Sequence, residues 1–263
     1  MGTMERNNLN RLTHVMISFA GLILVQRAAR FLLFRFAPGL GTFGDFLVFL
    51  LAFGAAFALL RLPLKTAEEE DPVPELVKKK TGRCVLHLLA SVAALVTLMF
   101  LVAAFMNGEE AFSGGVSAAG EMPSLDPLSV ASLLLIHPVA EEVLFRRLYY
   151  GELRRMHPVF GCMAQALMFA LAHESVDGMI YALAAGVLLG VLAEETGRLW
   201  PTVAAHVFVN LRSLVSLTVF AERGGVRYGL DSAILTAGAV AFVILAATRV
   251  RIAADTGRKA GAA

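Results

Sequence analysis

Apolar positions along the chain do not alternate with polar ones. They fall into long, nearly unbroken blocks separated by short polar segments. The hydrocarbon layer of a bilayer is about 30 Å thick, so a spanning helix needs about 20 mostly apolar residues. Blocks of this kind predict an all-α, polytopic transmembrane helical bundle of about eight spans. The first runs from Leu12 to Phe34 and is interrupted by Gln26, Arg27 and Arg30. The next two run from Leu40 to Leu62 and from Val85 to Met106. The fourth, Leu125 to Leu148, contains Pro138. A fifth, shorter block covers Val159 to Ala172. The last three run from Met179 to Leu192, Pro201 to Phe220 and Ser232 to Thr248. No short apolar stretch precedes a small-residue cleavage site, so the first block is expected to remain as an anchor.

Composition sharpens this picture. Of 263 residues, 57% are hydrophobic and 17% charged, and mean hydropathy is +0.70. A soluble domain is nearer a quarter charged. That excludes an ordinary cytosolic enzyme, a disordered tail and a nucleic-acid binder. The net charge of +2 implies no polyanionic partner. Cys84 and Cys162 sit in apolar runs and read as small buried hydrophobes. The polar segments alternate in sign. Lys65, Lys78, Lys79 and Lys80 lie between the second and third blocks, Glu109, Glu110 and Glu121 between the third and fourth. Arg147, Arg154 and Arg155 follow, and Arg249, Arg251, Arg258 and Lys259 close the chain. Positive segments mark the cytoplasmic side, which puts both ends inside, with Arg223 and Arg227 as the exception. No internal repeat of the transporter kind is visible.

Ionisable side chains inside apolar blocks are costly, so each is a candidate site. They gather in the C-terminal half: Glu141, Glu142 and Arg146 on the fourth block, His173 and Glu174 at the end of the fifth, His206, Asn210 and Arg212 on the seventh. Glu142 and Arg146 are four apart and share a helix face, where they can neutralise each other. Glu141 points roughly 100° away and is free to face another neighbour. His206 and Asn210 share a face, as do Phe169 and His173. A lone pair of this kind would read as interhelical glue; three clusters on three helices point to chemistry. No HExxH occurs. Glu141, His173 and His206 could hold zinc with a water, or act without metal through a carboxylate base. His137, one turn before the Glu pair, precedes a proline and reads as part of a kink, a catalytic role being the alternative.

The motifs Glu141-Glu142-Val143-Leu144-Phe145-Arg146 (EExxxR), Phe169-Ala170-Leu171-Ala172-His173 (FxxxH) and His206-Val207-Phe208-Val209-Asn210 (HxxxN) stand in order on apolar blocks. Together they resemble the CPBP family: CAAX prenyl endoproteases of the Ras-converting type and bacterial bacteriocin-processing and self-immunity proteins. The resemblance covers the fourth to seventh blocks and departs nowhere at the motif positions. It implies one integral membrane domain over 1–263, with a motif-bearing core at 120–220. It implies a glutamate-dependent intramembrane endopeptidase of a kind historically classed as a metalloprotease. Glu141 with His173 would activate water, and His206 with Asn210 would stabilise the oxyanion. Glu142, Arg146 and Phe169 would support the site. No cofactor is expected, zinc being the alternative. The expected partners are the bilayer and a membrane-associated protein or peptide cut near its C-terminus, with no nucleic acid. A bacterial chain would sit in the plasma membrane. The competing reading is a non-catalytic immunity or scaffold protein of the same fold.

The fifth block has only about 14 residues before His173, short for a span. The turn from His173 to Gly178 is therefore expected to stop within the membrane and line a wet chamber. The small residues from Ala182 to Gly190 predict close helix packing, with Gly186 and Gly190 on one face. His14, His87 and His157 read as interfacial. So do Trp200 and Tyr228, with Tyr149 and Tyr150 as further belt candidates.

Overall fold

The computed structural model describes residues 3–61, 81–107 and 126–219. Among these residues the fold is all-α, with no strand. Seven helices follow in order: α1 (Thr3–Phe36), α2 (Gly41–Leu60), α3 (Thr81–Asn107), α4 (Pro127–Leu153), α5 (Pro158–Leu171), α6 (Val176–Thr196) and α7 (Trp200–Val219). They fall on the first seven apolar blocks. The eighth expected span, with Tyr228, Arg223 and Arg227, lies outside the described residues, as do most of the charged segments before α3 and α4. Five of the described helices are long and apolar enough to cross a membrane, α1, α2, α3, α4 and α6, while α5 is apolar but shorter. Their outward faces carry Leu24, Phe31, Leu86, Leu89, Leu135 and Leu167, all more than half exposed. Apolar side chains turned outward on helices of this length suit a hydrocarbon solvent. The chain is an integral membrane protein.

Two apolar clusters hold the bundle. One joins α1, α2, α4, α5 and the start of α6 around Leu22, Ala52, Phe145, Leu153, Phe169 and Ala182. The other joins α3, α6 and α7 around Leu95, Leu189, Leu192 and Ala205. The α5–α6 contact depends on glycine. A Cβ on Gly186 would come within 2.9 Å of the Ala166 backbone, and one on Gly190 within 2.8 Å of the Cys162 sulfur. That is the close approach expected of this small-residue face.

Helix α4 is irregular where it matters. Its turns at Ser132–Ile136 and Glu142–Tyr149 are π-helical, flanking the α-helical stretch His137–Glu141. In the first of these the His137 N–H reaches back five residues to the Ser132 carbonyl. In that register the Leu133 carbonyl would pair with residue 138, but Pro138 has no N–H. Asn210 of α7 donates to that carbonyl instead, at 2.9 Å. The kink residue and the motif asparagine are thus two parts of one contact.

Tyr149 and Tyr150 are not belt residues. Both are buried. The Tyr149 hydroxyl lies 2.9 Å from Ser18 Oγ, and Tyr150 donates to Glu194 at 2.6 Å. The wider π turns re-aim these side chains into the bundle, a change that a regular helical count does not anticipate. Cys84 and Cys162 are free and buried, as read.

Candidate active site

The EExxxR motif splits as its spacing requires. Glu142 and Arg146 have fully buried side chains, with Arg146 Nε 3.3 Å from Glu142 Oε2. The approach makes an ion pair but not an aligned hydrogen bond, since neither atom finds a hydrogen-bond partner. The guanidinium also lies over the Phe169 ring, 4.4 Å from its centre. An aromatic face attracts a desolvated cation, so Phe169 shares with Glu142 the task of holding Arg146 in the interior.

Glu142 does more than neutralise Arg146. Its Oε1 lies 2.9 Å from Nδ1 of His206. An ionised carboxylate only accepts, so Nδ1 carries the proton, and a neutral His206 presents a lone pair at Nε2. Nε2 in turn faces Glu141, 3.6 Å from Oε2. His206 of α7 therefore stands between the two neighbouring carboxylates of α4. Glu141 keeps some exposure, 18% of its side chain, where Glu142 has none.

His173 ends α5. Its Nδ1 lies 2.8 Å from the Phe169 carbonyl one turn back. A carbonyl accepts, so this nitrogen donates and Nε2 is left as the acceptor. The ring thereby caps one of the carbonyls that the end of a helix leaves without a partner. Phe169 meets His173 and His206 edge-on, at 5.0 and 5.9 Å between ring centres. This explains a phenylalanine at the head of the second motif: one ring orders both imidazoles and the buried arginine. The next helix restarts at once, Ser175 accepting from the Gly178 N–H.

A cavity of about 280 Å³ opens beside Glu141 and is lined by Phe145, Phe169, His173 and Glu174, with Leu22, Gln26, Arg30, Asp45 and Phe49 from α1 and α2. A second, of about 150 Å³, is lined by His173, His206 and Asn210, with Phe169 and residues of α3 and α6. His173 and Phe169 form the wall between them. All four expected catalytic side chains thus border this pair of cavities. The turn after α5 lines the first. Among the described residues no group of three or more His, Cys, Asp or Glu side chains is arranged to hold a metal ion.

Parts of the chain are similar to known proteins. Residues 123–212 match the family described as type II CAAX prenyl endopeptidase Rce1-like. A Bacillus subtilis (strain 168) protein named "Putative membrane peptidase YdiL" is 23% identical over 218 residues, covering 76% of this chain and 84% of that one. No solved structure matches. Over residues 123–212 the chain is similar to this peptidase family.

The Rce1-like segment holds every motif residue but only part of the cavity wall. The rest comes from α1 and α2, where the sequence reading found no signature. Gln26, Arg27 and Arg30, read as interruptions of the first span, face the turn after α5. Gln26 donates to the Ala172 carbonyl at 3.5 Å. Arg27 lies 3.9 Å from Glu174, and Arg30 pairs with both Glu174 and, at 3.1 Å, Asp45 of α2. The signal was present, since Gln26 and Arg30 are four apart on one helix face, but their partners are far away in sequence.

Proposed function

We propose that this protein is an intramembrane endopeptidase that hydrolyses a peptide bond with water activated by Glu141 and His173. The observation that carries the reading is the shared cavity: a partly exposed carboxylate and an imidazole with its acceptor nitrogen free border one polar chamber inside an apolar bundle. A base in such a chamber takes a proton from water as the oxygen attacks a carbonyl. His206 and Asn210, on the adjoining cavity, hold the oxyanion of the tetrahedral intermediate. Only one N–H of Asn210 is committed to Leu133, so the other is available. To donate from Nε2, His206 carries both ring protons, with Glu142 on its far side. Glu142, Arg146 and Phe169 keep these groups in place.

The reaction needs no metal in this reading. The substrate is a membrane-associated peptide cut near its C-terminus, a prenylated CAAX tail or a leader or sorting segment. The chain spans the membrane eight times, with both ends cytoplasmic and, in a bacterium, in the plasma membrane. The test is cleavage of a farnesylated CAAX-type peptide and of a panel of C-terminal peptides by the reconstituted full chain. Cleavage that survives exhaustive chelation and disappears in Glu141→Gln supports the reading. Loss on chelation with recovery on zinc would turn Glu141, His173 and His206 into ligands. Cleavage at the wild-type rate by Glu141→Gln would end the Glu141 mechanism.

A further inference from the structure

One imidazole of the cavity has no part in the steps above. His137 lies one turn before Glu141 in the α-helical stretch of α4, so the two side chains leave the helix on the same face. Both line the larger cavity. The His137 ring stacks on Phe49 of α2, with 4.0 Å between ring centres and 24° between planes. This stack fixes the ring's plane. Its Nε2 is buried and has no hydrogen-bond partner. A buried ring nitrogen left unpaired beside a polar chamber calls for an explanation. The ionisable groups that face it are Glu141 on its own helix, His206 on α7 and Asp45 on α2.

We infer that His137 is the acid that protonates the leaving nitrogen, an inference that rests on the peptidase reading of the same cavity. Peptide hydrolysis moves a proton twice. Water gives one to Glu141 as its oxygen bonds to the carbonyl carbon. The C–N bond then breaks, its electron pair goes to nitrogen, and that nitrogen takes a proton from the His137 imidazolium. Neutral His137 next takes the proton held by Glu141 one turn away, and both groups return to their starting forms. Water is the only co-reactant. The other two imidazoles are less suited. The only N–H of a neutral His173 is committed to the Phe169 carbonyl, and His206 stands between two carboxylates.

The experiment compares the reconstituted wild type with His137→Gln and His137→Phe, the latter keeping a ring on Phe49. The probes are a farnesylated CAAX-type peptide and a twin with a thioester at the scissile bond, whose thiolate departs without a proton. Both variants are expected to lose about 10²-fold or more on the amide and less than about 10-fold on the thioester, since only the amide needs the acid. Equal losses on the two probes, or none, overturn the inference and leave His137 as packing for Phe49. A wild type that cleaves neither probe counts against the peptidase reading with this substrate class. His137 is then decided without substrate, by NMR of ring-labelled histidine in the full chain. Glu141→Gln is expected to move the His137 titration, because the two side chains share one cavity. A His137 ring that does not titrate, or whose midpoint does not move, overturns the inference.

Discussion

Two ion pairs flank the larger cavity, and they differ in kind. Glu142 and Arg146 are four residues apart on α4, with no exposed side-chain surface. Arg30 and Glu174 are 144 residues apart, join α1 to the turn after α5, and keep 43% and 36% of their side chains exposed. The first pair sits under Phe169 and against His206, so nothing replaces either partner if the other is lost. The second sits at the chamber mouth, where water can. The same charges therefore act as a structural commitment on one side of the cavity and as an adjustable contact on the other.

The strongest challenge to this contrast is Arg146→Ala. It leaves Glu142 buried without its cation, and breaking a buried pair costs about 3–5 kcal/mol. Thermal unfolding in detergent is expected to show a large loss of folded protein. An unchanged Tm would mean that the interior pair is not what orders α4.

Asn210→Ala comes next. It removes the proposed oxyanion donor, a loss expected to cost about 10²–10³-fold in kcat. It also strands the Leu133 carbonyl, an interhelical hydrogen bond worth about 0.5–2 kcal/mol in a membrane. The two effects separate in the double variant with Pro138→Ala, which returns an N–H to the Leu133 carbonyl. Stability is expected to recover in part while activity does not. Recovery of both would make Asn210 a helix tie only.

Glu174→Gln tests the outer side and is expected to be the mildest. An exposed pair contributes about 0–1 kcal/mol, so unfolding should barely change, and what change there is should shrink with added salt. A loss as large as that of Arg146→Ala would erase the distinction between the two pairs.

The inner side was legible in the sequence because its contacts are local. Spacing by four placed Glu142 with Arg146 and Phe169 with His173, and it turned Glu141 away from both. The pairing of α4 with α7 followed only as implied by the family's motif order. Spacing did not show that Glu142 also holds His206, since that contact crosses between helices. The outer side was legible only as an anomaly. Gln26, Arg27 and Arg30 broke an apolar block, and no local rule gave them partners beside His173. The π turns of α4 were missed for a related reason. Pro138 signalled a kink, but the wider register that buries Tyr149 and Tyr150 depends on what packs around α4.

The central claim is that adjacent carboxylates on α4 divide the work, Glu141 acting on water and Glu142 holding Arg146 and His206. It is tested most directly by measuring peptide cleavage and thermal unfolding side by side for Glu141→Gln and Glu142→Gln in the same membrane preparation. Glu141→Gln is expected to unfold like the wild type and to lose about 10²–10⁴-fold in cleavage, the range for a positioned base. Glu142→Gln is expected to lose stability and, with His206 released, activity as well. If Glu141→Gln cleaves normally, or if the two variants destabilise the protein equally, that division is contradicted.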